Sequence, residues 1–131
     1  MKYSSFCNKL LYEHKKIPVI YISGAFTSVD ENTLKMITSQ ASEVSSKLWD
    51  AGWSVISVHK NCEGCVLSEH LTYDKWMTAL VAQIAKCDAL MVLQNWENSE
   101  GVKIEIQFAA ALNIPVYLYN GRDVPKPKLK V

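Results

Sequence analysis

The sequence lacks any apolar run that approaches the length of about 20 residues required by a membrane-spanning helix. It also lacks an excess of either charge, because 14 Lys and Arg against 13 Asp and Glu leave a formal net charge of +1. Such a balance offers no electrostatic basis for binding nucleic acid or a membrane surface. The N-terminal segment mixes charged side chains with short apolar pairs, unlike a signal peptide. We therefore expect a cytoplasmic protein with reduced cysteines and with neither a membrane nor a nucleic-acid partner.

What the sequence does contain is a regular alternation of apolar and amphipathic segments. The apolar segments predict β-strands over residues 17–23, 53–58, 89–93 and 114–119. The amphipathic segments predict helices over 28–50, 73–86 and 101–112. In the first helix, Ser28 and Glu31 form a capping box and Gly52 suits the end. This order predicts an α/β fold: a three-layer, doubly wound parallel sheet of four to five strands, Rossmann- or flavodoxin-like.

A chain of 131 residues has the length of one domain. We predict a single domain over 1–131, with a core of about 17–119 and an extended tail over 120–131. In a parallel sheet, ligands bind in the crevice at the carboxyl ends of the strands, near the point where the strand order reverses. Candidate site residues are therefore those that follow the first three predicted strands.

Glu105 lies where the last predicted helix should be most apolar. At about 100° per residue, Lys103 and Gln107 share one polar face of this helix. Glu105 points away from that face, toward the side that carries Phe108 and Leu112. A buried carboxylate costs several kcal/mol unless it is paired or neutralised. Glu105 is therefore either a satisfied structural acid or part of a functional site.

The loop after the first strand carries Ser23, Gly24 and Phe26 as candidate binding residues. A glycine at this position lets the backbone approach a ligand closely. The glycine spacing of a phosphate-binding loop or a dinucleotide fingerprint is absent. Taken alone, the segment also fits an ordinary turn between a strand and a helix.

The loop before the Glu105 helix places Trp96, Ser99 and Gly101 ahead of a helix N-terminus. Backbone N–H groups at such a terminus can bind an anion, and Trp96 can stack on a base or another ring. The ordinary alternative is a solvated loop in which Ser99 caps the helix. Both interpretations stay open at this point.

Four potential zinc ligands lie close together in the sequence: His59, Cys62, Cys65 and His70. The residue types suit zinc, but their spacing does not match common structural zinc sites. A redox role for the two cysteines is a weaker interpretation still. We therefore predict neither a metal nor a cofactor, and retain a metal-dependent or redox protein as an alternative.

Two further polar residues lie in or beside predicted strands. Asp88 immediately precedes the third strand, where its carboxylate either caps backbone N–H groups or orients a ligand hydroxyl. Tyr21 lies within the first strand, and its hydroxyl faces either a helix or the crevice. Neither residue indicates a function by itself.

Three motifs occur in a consistent order along most of the chain. They are Tyr21-Ile22-Ser23-Gly24, Cys87-Asp88-Ala89 and Trp96-x2-Ser99-x-Gly101-x3-Glu105-x3-Ala109. Through them the chain resembles the nucleoside 2-deoxyribosyltransferase superfamily, which includes the transferases and the 2′-deoxynucleoside 5′-monophosphate N-glycosidases. The resemblance covers roughly residues 17–119 and is closest to a branch of small bacterial and phage proteins.

The resemblance implies that Glu105 is the catalytic nucleophile. Its carboxylate would attack the anomeric carbon of the deoxyribose, expel the base and form a glycosyl-enzyme intermediate that water or a second base resolves. Tyr21 would orient Glu105. The substrate-binding residues implied are Ser23, Gly24, Phe26, Trp96, Ser99 and Gly101. A nucleoside or nucleotide as the small-molecule partner and a homo-oligomeric assembly are also implied.

One position departs from the family pattern. Active members usually carry an Asp eight residues before the position of Asp88, and here that residue is Leu80. We place Asp88 among the catalytic candidates, since it, Asp74, Glu97 or Glu100 would have to replace the missing acid. Without a proton donor, base departure loses roughly 10²–10⁴-fold in rate. The prediction is therefore an N-glycosidase or deoxyribosyl transferase, with a non-catalytic nucleotide- or nucleoside-binding module as the alternative.

Overall fold

Helices and strands alternate along the computed structural model, which describes residues 4–25, 30–61 and 70–130. The helices are α1 (Ser5–Glu13), α2 (Glu31–Ala51), α3 (Val58–Asn61), α4 (Tyr73–Ile84) and α5 (Glu100–Ala111). The strands are β1 (Val19–Ser23), β2 (Ser54–Ser57), β3 (Ala89–Val92) and β4 (Val116–Leu118). Short 3-10 turns cover His14–Lys16 and Trp96–Asn98. Within the described ranges, no helix is both long enough and apolar enough to cross a membrane.

The four strands form one parallel sheet in the order β2-β1-β3-β4. This confirms the predicted α/β fold with a parallel sheet. From β1 the chain crosses to β2 on one side and then to β3 on the other, so the strand order reverses between β1 and β3. These two central strands are almost entirely buried, which explains their continuous apolar sequences. Their carboxyl ends mark the crevice in which such folds bind ligands.

Each face of the sheet has its own apolar cluster. On one face, side chains of α2, including Val44 and Leu48, pack with Ile20 and Ile22 of β1. On the opposite face, α4 and α5 cover the sheet, and their cluster includes Tyr21. Because side chains alternate along a strand, Ser23 shares the face of Tyr21 and points toward α5. The strand period thus brings two predicted site residues to the face that carries the Glu105 helix.

Local hydrogen bonds set the ends of α2, and one of them differs from the prediction. Asp30 caps this helix, accepting from Thr33 N through Oδ1 and from Thr33 Oγ1 through Oδ2, both at 2.8 Å. The predicted capping box of Ser28 and Glu31 is therefore wrong, because the helix begins at Glu31 behind Asp30, and Ser28 lies outside the described residues. Gly52 ends α2 at a φ of 109°, which confirms the predicted cap.

The first helix and the end of the tail lie near the edge where the strands begin, called here the amino edge. The first helix, α1, was not predicted, and none of its residues is buried. Residues 120–130 of the tail form neither helix nor strand, and hydrogen bonds hold them in place. Trp53 Nε1 donates to the carbonyl of Pro125 at 2.8 Å, and Lys130 N donates to the carbonyl of Lys16 at 2.8 Å.

Candidate active site

A cavity of about 610 Å³ opens at the opposite edge, where the strands end, called here the carboxyl edge. This volume is in the range of small-molecule binding sites, roughly 300–1,000 Å³. The start of α2 contributes Asp30, Thr33, Met36, Ile37 and Gln40 to its lining. The segment between β3 and α5 contributes Gln94, Asn95, Asn98, Ser99, Glu100 and Gly101. Ala25 and Tyr73 complete the described lining.

Two glutamines join the two walls of this cavity. Gln40 Nε2 donates to Gln94 Oε1 at 2.8 Å, and Gln94 N donates to Gln40 Oε1 at 2.8 Å. The next residue, Asn95, has a φ of 63°, in the left-handed region that asparagine tolerates better than most residues. These features fix the loop after β3 against α2, so the cavity has a defined shape.

The first turn of α5 begins at the predicted residues. Ser99 caps the helix, because its Oγ accepts from Val102 N at 3.2 Å. Ser99 and Gly101 both line the cavity, whereas Trp96 packs against the apolar cluster between α5 and the sheet. The described aromatic side chain in the lining is Tyr73, at the start of α4. From the sequence, Trp96 is the aromatic residue expected to stack on a ligand ring.

Glu105 lies on α5 one turn beyond Gly101, so both residues share a face of the helix. It is only 4% exposed and does not itself line the cavity. Ser23 Oγ donates to Glu105 Oε1 at 2.9 Å. The other oxygen, Oε2, is buried and accepts no hydrogen bond from the described residues. The carboxyl group is therefore only partly satisfied by its surroundings.

The protonation of Glu105 reflects this environment. Burial raises the pKa of Glu105 from its ordinary value of 4.5 to about 7, while weaker hydrogen-bonding interactions with Ser23 and then Tyr21 oppose the rise. Near neutral pH the group is therefore present in both its charged and its neutral form. A carboxyl group poised in this way can act as a nucleophile or exchange a proton.

Gly24 lies in close contact with side chains from other segments. A Cβ at this position would lie 2.7 Å from Leu93 Cδ1 and 3.1 Å from His59 Cε1, so a side chain would not fit without movement. His59 is buried, and its Nε2 donates to the carbonyl of Ala25 at 2.9 Å. Burial lowers the pKa of His59, which keeps the ring neutral at pH 7. The predicted binding residue Phe26 lies outside the described residues.

The predicted zinc-ligand stretch is described only in part. Cys62 and Cys65 lie outside the described residues, and His70 is exposed. Across residues 4–25, 30–61 and 70–130, no three His, Cys, Asp or Glu side chains are grouped so that they could hold a metal ion. Because two of the four candidate ligands lie outside the described residues, the metal-dependent or redox alternative stays a hypothesis.

Asp88 lies at the amino edge, away from the cavity. Its Oδ2 accepts from Val19 N at 2.8 Å, and its Oδ1 forms an ion pair with Lys130 Nζ at 2.8 Å. Because β3 begins at Ala89, the length of that strand separates Asp88 from the carboxyl edge. Its carboxylate caps backbone, in line with the structural interpretation, and the structure does not bring Asp88 together with the described cavity lining. Leu80 is buried in the apolar cluster with α5.

Comparisons with known proteins agree with this architecture. Five chains of known structure match the protein. One is a 2-deoxyribosyltransferase from the psychrotolerant bacterium Bacillus psychrosaccharolyticus, with 21% sequence identity and a TM-score of 0.56, over 82% of this chain and 77% of that one. At this identity the likeness establishes the fold, and no curated protein matches the chain. Residues 18–118 match a domain of unknown function, DUF4406. The chain therefore belongs to the DUF4406 family.

Proposed function

We propose that this protein cleaves the N-glycosidic bond of 2′-deoxyribonucleosides or their monophosphates, with Glu105 as the nucleophile. The observation that carries the proposal is the buried, partly satisfied carboxyl group of Glu105, whose pKa is raised to about 7, next to a cavity of ligand size. The choice of substrate rests on the three sequence motifs and on the fold shared with a 2-deoxyribosyltransferase.

The proposed reaction has two steps. Glu105 Oε2, which accepts no hydrogen bond from the described residues, attacks the anomeric carbon while the bond to the base breaks and its electron pair leaves with the base. This step forms an ester between the sugar and Glu105. Water or a second base then attacks the same carbon, releases the carboxylate and gives up a proton. Hydrolysis and transfer differ only in this second acceptor.

In the proposed reaction, the substrate approaches Glu105 from the cavity past Gly101. It lines the cavity one helical turn before Glu105, on the same face of α5. A Cβ at Gly101 would lie in ordinary contact with Tyr73 Oη at 3.7 Å and Ser99 Oγ at 3.9 Å, two groups of the lining. With Met77 Sδ at 3.6 Å as well, the absent side chain leaves a gap of about one methyl group, so the proposal requires Tyr73 or Met77 to move before the sugar reaches the buried carboxylate.

Ser23 and Tyr21 act on Glu105 as positioning residues. The Ser23 hydroxyl donates to Oε1 at 2.9 Å, which fixes the carboxylate plane and leaves Oε2 directed elsewhere. Tyr21 is 1% exposed and also favours the charged form of Glu105. Both residues stabilise the carboxylate that must attack, since hydrogen bonds to a charged form lower its pKa.

Departure of the base is the step with the least help from the described residues. The carboxyl groups in the described lining belong to Asp30 and Glu100. Hydrogen bonds from Thr33 lower the pKa of Asp30, which keeps it ionised. The Glu100 side chain is 80% exposed and pairs with Lys103 at 3.4 Å. Neither is a buried acid, so we expect turnover to be slow with poor leaving groups.

Replacing the nucleophile tests the proposal. Glu105→Gln should lower base release by at least roughly 10³-fold, because the amide cannot form the ester intermediate. Chromatography of a panel of deoxynucleosides and their monophosphates measures the released base. The matched control is Asp88→Asn, an acid-to-amide change at the amino edge, which should keep activity within about twofold. Base release that survives Glu105→Gln would contradict the role of Glu105.

The alternative function is a non-catalytic module that binds nucleosides or nucleotides. It is favoured by Leu80, which occupies the apolar cluster where active relatives of the resembled superfamily usually carry an acid. Such a module would show a melting temperature raised by nucleosides without release of base. Homo-oligomeric assembly and kinship to the small bacterial and phage branch also stay predictions.

A further inference from the structure

The cavity is acidic in its described lining. Two carboxylates, Asp30 and Glu100, line it from opposite walls, and no Lys, Arg or His side chain is among its described lining residues. Lys103 pairs with Glu100 at 3.4 Å, but Lys103 does not itself line the cavity. The Asp30 carboxylate is ionised, because the hydrogen bonds from Thr33 lower its pKa. An anionic ligand would therefore enter a field that repels it.

Among the described lining residues, those at the start of α5 form a feature that attracts anions, but it is already occupied. The start of α5 presents backbone N–H groups, which favour a phosphate. Here Ser99 Oγ accepts from Val102 N at 3.2 Å, and Glu100 places a carboxylate in the first turn of the helix. A phosphate monoester carries about 1.5 to 2 negative charges at pH 7. It would have to share this turn with the charge of Glu100.

The rest of the described lining suits an uncharged ligand. The side-chain amides of Gln40, Asn95 and Asn98 offer both donors and acceptors for sugar hydroxyls and base edges. Met36 and Tyr73 are 69% and 49% exposed, so each presents apolar surface to a ring at the cavity. The lining thus combines neutral hydrogen-bonding groups with apolar surface, the composition that recognises a nucleoside without its phosphate.

We propose that the cavity binds the unphosphorylated 2′-deoxynucleoside and discriminates against its 5′-monophosphate through the charges of Asp30 and Glu100, an inference that rests on the proposed function. The discrimination is electrostatic, and it acts on an open site. Its size therefore depends on ionic strength, as for any interaction between exposed charges.

The primary test compares kcat/KM for one deoxynucleoside and its 5′-monophosphate at low and high salt. We expect the nucleoside to be preferred by roughly tenfold at low salt. Raising the ionic strength should narrow the preference, because screening weakens repulsion. A site that attracts phosphate would lose monophosphate activity with salt, which is the opposite sign and would overturn the inference.

Two variants test whether Asp30 and Glu100 cause the repulsion of the 5′-monophosphate. Asp30→Asn retains the helix cap, since asparagine caps as well as aspartate, and Glu100→Gln keeps the size of the side chain. Each should reduce the preference for the nucleoside by about threefold. Glu31→Gln is the matched control, because Glu31 is the acid in the first turn of α2 and is not a described lining residue. It should leave the preference unchanged.

The outcomes separate this inference from the proposed function. If the monophosphate is cleaved as well as the nucleoside or better, the function stands and the inference fails. If neither is cleaved, calorimetry of the wild-type protein with the same two compounds decides the inference. Tighter binding of the nucleoside would support it, whereas equal binding, tighter binding of the monophosphate or binding of neither would overturn it.

Discussion

A carboxylate lies at each of the two edges of the sheet, and the two carboxylates differ in their hydrogen-bond and ion-pair partners. At the amino edge, Asp88 accepts from Val19 N and pairs with Lys130 Nζ, both at 2.8 Å, so each oxygen has a partner. At the carboxyl edge, Glu105 Oε1 accepts from Ser23 Oγ at 2.9 Å, while its buried Oε2 accepts no hydrogen bond from the part of the chain that the structure describes. A satisfied acid stabilises the fold, whereas a partly satisfied acid keeps an acceptor available for a ligand.

The comparison teaches that burial and hydrogen-bond partners together distinguish the two acids, because the Asp88 side chain is 30% exposed and Glu105 is 4% exposed. Asp88 precedes β3 and Glu105 lies on the helix that follows β3. The sequence makes both residues candidates for catalysis. Their partners separate them: a backbone N–H and a lysine hold Asp88, while burial dominates at Glu105 and raises its pKa to about 7. The contrast can be tested at each residue in turn.

The largest expected effect is on stability. The pKa of Glu105 is about 7 in the folded protein against an ordinary value of 4.5, so the folded state binds this proton more tightly. The stabilisation is fully present below pH 4.5 and is lost as the pH rises through 7. The Glu105→Gln protein has no ionisable group at this position, so its free energy of unfolding does not show this loss as the pH rises. Relative to wild type, its free energy of unfolding should therefore gain roughly 2–3 kcal/mol between pH 5 and pH 8.

Denaturant titrations of both proteins at the two pH values measure this gain. The same titrations of Asp88→Asn serve as the control, and they should show no comparable gain. A constant difference between wild type and Glu105→Gln across the range would mean that the pKa of Glu105 is not raised by folding.

The next effect is on the rate. If the ionised form of Glu105 is the nucleophile, kcat/KM for base release should increase about tenfold from pH 6 to pH 8, with a midpoint near 7. The rise follows the ionised fraction of the free enzyme. Asp88→Asn should have the same profile, since Asp88 lies at the other edge. A profile that is flat over this range would assign the nucleophile to another group.

The smallest effect is expected at the amino edge. Asp88→Ala leaves the N–H of Val19 without its acceptor and removes the pair with Lys130, so it should lower the free energy of unfolding by about 1–2 kcal/mol. Asp88→Asn keeps an acceptor for Val19 and should cost less. Urea denaturation measures both. Activity per folded molecule should stay the same, and a loss of activity in Asp88→Ala would erase the contrast between the edges.

The features that could be predicted from the sequence are those that local rules decide. Ser99 was identified as a helix cap and Gly52 as a helix end because each acts on residues within one turn. Glu105 was placed on the buried side of its helix by the 3.6-residue period alone, and it is 4% exposed. The location of Asp88 also follows from a local rule, since a residue before a strand lies at the amino edge of a parallel sheet.

Other features depend on how distant segments pack, which no local period reveals. Trp96 was the expected aromatic of the cavity, but the turn at Trp96–Asn98 places it against the apolar cluster, and Tyr73 from another helix lines the cavity. Gly24 was expected to admit a ligand, yet its space is limited by Leu93 and His59 from other strand ends. Such neighbours are fixed only by the tertiary fold.

Because the tail follows the helices and strands in the sequence, it is synthesised after them. Glu105, Ser23 and the described cavity lining come from residues up to 105, so all of these groups are synthesised before the tail. The amino edge waits for Lys130, whose backbone and side chain close on Lys16 and Asp88. A growing chain therefore contains Glu105 and the described cavity lining before it contains the lysine that pairs with Asp88.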